Sequence, residues 1–215
     1  MKATPKISQA SKMPCKSWSL PAWETCPGAR TDDNKPVPAC EYCYALTGFY
    51  RMRGTIEARA HNKKDWKRKG WVDAMVKAIG KSEYFRWFDS GDIYCEDLAE
   101  KIIRVMRSTP ATKHWLPTRM YKDRKLLPWL QVMNDLDNVV VRYSSDSVQG
   151  ERLDYSPNST IVQNADDFKP EKGYSLCRAY DRKGKCGTCR ACWSKYVTTI
   201  AYPLHGHKVN EKMFV

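Results

Sequence analysis

Nine cysteines in 215 residues carry the clearest chemical signal of this chain. The sharpest set is Cys177-x8-Cys186-x2-Cys189-x2-Cys192. A two-residue gap lets a tight turn aim both sulfurs at one centre. Four thiolates complete a tetrahedral zinc site or supply one sulfur to each iron of a cubane. Gly184 and Gly187 permit the close backbone turns this needs. Arg178, Arg182, Lys183, Lys185, Arg190 and Lys195 face only Asp181 in that stretch, and cations offset the charge of clustered thiolates. Spacing leaves zinc and an iron–sulfur cluster both open.

The second set is Cys26-x13-Cys40-x2-Cys43. Three cysteines are one short of a closed site. They imply an open coordination position, as a catalytic metal needs, or a fourth ligand from Cys15, His205 or His207. In a further arrangement Cys40 and Cys43 join two tail cysteines and staple the chain ends together. Cys95 reads as a packed thiol.

The piece Cys40-Glu41-Tyr42-Cys43-Tyr44-Ala45 resembles the CxxCYA end of the radical-SAM motif. Over most of its length the chain resembles a phage and plasmid family known as gene product eighty-eight. The matching pieces are Ser19 to Gly28, Cys40 to Tyr50, Phe85 to Tyr94, the Ser144-Ser145-Asp146-Ser147 turn, and the tail GKCGTCRACW with the later His205. The resemblance implies a viral or mobile-element origin and a radical-SAM-like partial barrel. In that motif three cysteines hold a [4Fe-4S] cluster and leave one iron for S-adenosylmethionine. Here thirteen residues separate the first two cysteines where the usual motif is CxxxCxxC. Ser90-Gly91-Asp92 stands where a glycine-rich motif would hold the methionine end, with Asp92 taking the ammonium. The tail also resembles the zinc-binding end of enzymes that make the queuosine precursor, which keeps zinc as the alternative metal.

The elements that must position these residues follow from hydrophobic periodicity. Ser17 to Trp23 reads as a short strand at most, in an otherwise irregular start. Gly48 to Trp66 reads as a basic helix weakened by Gly54, and Trp71 to Ile79 as an amphipathic one. Strands over 84–88, 114–116, 138–143, 160–162 and 197–202 alternate in part with helices over 93–106 and 126–136, which argues for parallel βαβ units. The expected fold is α/β, an incomplete (βα) barrel with a cysteine-rich C-terminal segment. It is read as a single domain over 1–215, with a cysteine-motif region at 1–50, a βα core at 82–165 and a metal-binding tail at 173–215. A polar cluster follows each of the first four strands: Asp89-Ser90-Gly91-Asp92, Thr118-Arg119, Ser144 to Ser147, and Gln163-Asn164. At the carboxyl ends of parallel strands these converge on one mouth. Asp89, Ser90, Gly91, Asp92, Arg119, Ser145 and Asp146 are therefore the expected cofactor-binding residues. Trp18, Trp23 and Trp193 lie near the cysteines in sequence and would shield a cluster from water.

Lys and Arg number 37 against 24 Asp and Glu, a net charge of +13, which suits polyanions, anionic cofactors and acidic partners. Arg119 to Lys125, beside Trp115, mixes cations with aromatics as nucleic-acid surfaces do, and Lys63 to Lys69 is another basic run; solvated helix faces are the commoner explanation of both. No run approaches the roughly 18 apolar residues of a membrane span, and the start has no secretory pattern. The expected location is the cytoplasm of the infected bacterial host, with no membrane partner. Three readings stand. The first is a radical-SAM-like enzyme supplied by a host reductase, ferredoxin or flavodoxin. The second is a non-catalytic iron–sulfur electron carrier or sensor, and the third a zinc-stabilised nucleic-acid-binding protein.

Overall fold

The computed structural model describes residues 4–169 and 171–214. Eight strands form one mixed sheet in the order β1-β2-β3-β4-β5-β6-β8-β7. β1 (Ile7–Gln9) runs antiparallel to β2 (Lys16–Trp18). The remaining strands are parallel: β3 (Tyr84–Trp87), β4 (Lys113–Thr118), β5 (Val139–Ser144), β6 (Asn158–Val162), β7 (Tyr174–Leu176) and β8 (Thr199–Pro203). The sheet is open, with β1 and β7 at its edges. β1 and β7 were not legible as strands. Each has three residues, too few to show an alternation.

Four helices follow the sequence pattern: α1 (Arg53–Asp65), α2 (Trp71–Ile79), α3 (Glu96–Arg107) and α4 (Leu127–Asn134). α1 starts after a separate turn at Gly48–Arg51, and Gly54 lies in its first turn. α3 begins three residues later than the periodicity suggests, because Ile93 and Tyr94 belong to the loop leaving the mouth. Glu96 and Asp97 open α3, and Arg104 and Arg107 close it, matching its dipole. The strand–helix alternation holds from β3 to β5. Beyond β5 the connections are loops with short turns.

Alternation along the strands divides the sheet into two faces. Trp18, Phe85, Trp87, Leu116, Val139, Val141 and Tyr143 point into a core formed with α2, α3 and α4. Cys95 packs against that core as a free thiol. The opposite face carries Trp115, which packs with Met13, Cys15 and Trp193. There the N-terminal segment and the cysteine-rich tail replace helices as the cover a parallel sheet needs on both faces.

Candidate metal centres

Because β3, β4 and β5 are parallel, the turns that leave them lie along one edge. The turn after β3 enters through Phe88, held at φ 54°, and Gly91, at φ 76°. A Cβ on Gly91 would stand 2.6 Å from Leu20 Cβ and 2.7 Å from Thr25 Oγ1. Glycine thus allows this turn to meet the 20–25 loop backbone to backbone. Leu20 N–H donates to Ser90 O at 3.0 Å and Asp92 N–H to Thr25 O at 2.9 Å, which fixes the loop leading to Cys26. Trp23 in that loop also has a positive φ, 65°.

Asp89 is buried. Its carboxylate accepts from Ser19 Oγ, from Arg59 Nη2 at 3.4 Å and from Tyr50 Oη at 3.4 Å, and its carbonyl accepts from Tyr44 Oη at 2.7 Å. Ser90 is held by Arg59 Nε and donates to Leu20 O at 2.8 Å. Asp92 accepts from the backbone N–H of Ile93 at 2.7 Å and of Arg119 at 2.9 Å. Burial pushes the Asp92 carboxyl up to about 6, against the pull of those hydrogen bonds. Arg119 donates to Ser145 O at 3.0 Å, and its Nε lies 3.3 Å from Asp146 Oδ1. Lys122 pairs with the other Asp146 oxygen at 2.7 Å. All seven expected cofactor-binding residues therefore meet at one edge.

The first cysteine set joins them. Ala39 N–H donates to Asp146 O at 2.9 Å, which brings the Cys40 turn over the end of β5. Gly28 lies against Arg119, where an added Cβ would stand 2.6 Å from its carbonyl oxygen. Cys26, Cys40 and Cys43 pack around one small apolar cluster of Trp23, Ala29, Leu46 and Val209, with Met213 and Phe214 beside it. Their thiols are free. Burial raises all three, Cys43 to about 11; at Cys40 the neighbouring Arg119 and Lys122 work the other way.

The tail forms a separate group. Cys186 N–H donates to Lys12 O at 2.9 Å, Cys189 N–H to Cys186 O at 3.1 Å and Cys177 N–H to Ala201 O at 2.8 Å. Lys183, Gly184 and Gly187 supply the positive φ that the turns need. Cys192 Sγ lies 3.6 Å from Tyr202 Oη. Burial raises Cys186, and it raises Cys192 to about 11.

Two sequence expectations are corrected. Cys15 belongs beside Cys186 and Cys192, packed with Met13, Trp115 and Trp193, and is no fourth member of the first set. Trp18 lies in the main core, edge-on to Trp71 at 5.2 Å, whereas Trp23 and Trp193 do stand against the cysteines. In the Arg119 to Lys125 stretch Tyr121 is buried and Arg119 and Lys122 pair with Asp146, while Arg124 and Lys125 are exposed. His205 meets Tyr180 at a tilt of 52°, ring centroids 4.7 Å apart, beside Cys177. His207 is exposed. Cys26, Cys40 and Cys43 pack against one apolar cluster and Cys186 and Cys192 against another. Among the described residues, no three His, Cys, Asp or Glu side chains are drawn together tightly enough to hold a single metal ion.

Two arginines were missed. Arg142 is fully buried on β5 and donates to the carbonyls of Asn158 and Val197 at 3.0 Å, Ser194 at 3.2 Å and Ala191 at 3.3 Å. No carboxylate pairs with it among the described residues, and Cys192 and Tyr202 are its ionisable neighbours. Arg86 on β3 stacks on Trp115 at 4.6 Å, donates to Tyr44 Oη at 3.1 Å and neighbours Cys15 and Cys192. The signal was available: each is a cation inside an otherwise apolar strand, Phe85-Arg86-Trp87 and Val141-Arg142-Tyr143.

The fold and site define an α/β protein with an open, mostly parallel sheet and cysteine thiols gathered at one edge and on one face. The chain belongs to the Gene product 88 family, whose profile matches residues 1–195. Comparison with curated proteins and with solved structures gives no match.

Proposed function

We propose that this is a phage iron–sulfur protein of the infected cell's cytoplasm, with a radical-SAM-like mouth. In this reading Cys177, Cys186, Cys189 and Cys192 hold one [4Fe-4S] cluster. Cys26, Cys40 and Cys43 hold another with one position open, and the sheet is an incomplete barrel around them. The observation that carries the reading is the meeting of three free thiols with Asp92 and Arg119 at the carboxyl ends of parallel strands. Ligands of open α/β sheets bind at that edge.

The residues present fit such groups. Both donor sets are sulfur, the ligand iron–sulfur clusters take. Arg142 and Arg86 place positive charge beside the tail thiols, and Arg119 and the more exposed Lys122 place it beside Cys40. Thiolate ligation would then satisfy Arg142, whose ionisable neighbours include no carboxylate. Bound there, a cluster supplies single electrons at low potential, here to S-adenosylmethionine. Asp92 would receive the cationic end of that cofactor. Arg119 would hold Ser145 and Asp146 in place, and Trp23 would exclude water. A ferredoxin, flavodoxin or reductase of the host would be the electron donor.

One observation favours the non-catalytic carrier instead. Val209, Met213 and Phe214 pack over the first cysteine set, and Phe214 meets Trp23 at 4.8 Å, as a cover excluding small molecules would. Anaerobic purification with iron, sulfide and zinc analysis, then electron paramagnetic resonance of reduced protein, separates the readings. A signal that changes on adding S-adenosylmethionine supports the enzyme, and an unchanged signal supports the carrier. Colourless, zinc-loaded, folded protein refutes both.

A further inference from the structure

The chain between Cys43 and the body of α1 forms one lip of the mouth. Tyr50 reaches Asp89 at 3.4 Å, Tyr44 reaches its carbonyl, and Arg59 of α1 holds the same carboxylate. The outward side of this lip has no function in the reading above. Phe49 is 82% exposed, Met52 57% and Ile56 45%. Arg51 and Arg53 stand beside them in the chain, and Lys64, Lys67 and Lys69 follow at and beyond the far end of α1, all exposed. Glu57 pairs with Arg53, Asp65 with Arg68 and Glu24 with Lys63, while Arg51, Lys64, Lys67 and Lys69 make no ion pair among the described residues.

We propose that this lip is a docking surface for single-stranded nucleic acid, which makes a nucleotide polymer the substrate class of the mouth. The proposal rests on the reading of the mouth as a reactive centre; the docking itself does not. The charge is complementary to phosphate, and α1 runs for ~20 Å, long enough to follow several nucleotides. Phe49 is an aromatic face free for a base, flanked by Arg51, the pairing of stacking platform and cation that single strands use. A membrane fits less well. A helix lying on a bilayer needs a broad apolar face, and Ile56 is the one large apolar residue of α1. An acidic protein partner would not need Phe49 to be aromatic.

The test is fluorescence anisotropy of labelled DNA and RNA oligonucleotides of about 16 nucleotides with the full chain, over a salt series. Binding should weaken as salt rises. Phe49→Ala should weaken it roughly fivefold or more, and Phe49→Trp should restore it. The triple change Lys64→Glu, Lys67→Glu, Lys69→Glu should flatten the slope of log affinity against log salt by about 2. The DNA and RNA arms identify which polymer is taken. Absence of binding, indifference to both sets of changes, or retention on anionic vesicles in place of oligonucleotide overturns the proposal. Iron is measured on the same samples. Phe49-dependent binding by iron-free protein upholds the docking surface and sinks the cluster reading. Iron-replete protein that ignores both oligonucleotides does the reverse.

Discussion

At the scale of single residues, burial decides which groups are ready for chemistry. His114 is fully buried, with Trp87 Nε1–H donating to Nδ1 at 3.2 Å and Nε2 standing 2.9 Å from Thr109 Oγ1. Thr109 donates its own hydroxyl to Val105 O at 2.8 Å, so it receives the Nε2 proton. Both ring nitrogens serve the neutral form, and burial pulls the group down to about 4 from its ordinary 6.5. Its stabilising contribution is complete above pH 6.5 and is lost as pH falls to about 4, where only the unfolded chain takes up the proton. The loss should be about 3 kcal/mol in urea unfolding and should vanish in His114→Gln. The buried thiols obey the same rule: they are neutral at pH 7 without a bound cation. Loading iron should therefore release protons, measurable as a buffer-dependent heat. Cys40→Ser and Cys189→Ser should each remove about four irons, and an equal, complete loss in both would mean the two sets share one site.

At the scale of elements, the mouth is held by backbone and by one buried ion pair. Arg59 crosses from α1 to Asp89 and Ser90, so α1 clamps the turn after β3. Arg59→Met leaves Asp89 without its cation and should cost about 3–5 kcal/mol, read as a shift in the urea midpoint. Gly28→Ala tests the other side. Its methyl would meet the Arg119 carbonyl, so the Cys26 loop should lift, with loss of iron at the first set and retention at the tail. α2, β3, β4 and β5 were legible because their apolar periodicity is strong, and the turn residues after the strands because their polarity is clustered. The partners of these turns were not legible. Nothing local in the sequence says that Cys15 pairs with the tail or that Arg142 stays buried without a carboxylate. Those facts depend on which face each strand shows the tail, and a one-residue shift in register would reverse it.

At the scale of the whole molecule, the sheet sorts chemistry onto one edge and one face. The helices occupy the other face with an apolar core. The cysteine motifs were visible at once as two sets, but the place of Cys15 beside the tail was not, since sequence distance is silent about closure in space. The final segment crosses back to the first motif. Val209 N–H donates to Glu41 O at 2.7 Å, and Lys208 pairs with Glu41 at 2.6 Å. That return has a consequence for biogenesis. The 40–43 turn emerges from the ribosome long before the segment that will lie on it, so during translation its sulfurs stand open to scaffold proteins and to oxidants alike. Whatever they receive is best delivered in that interval, before residues 208–214 close over them.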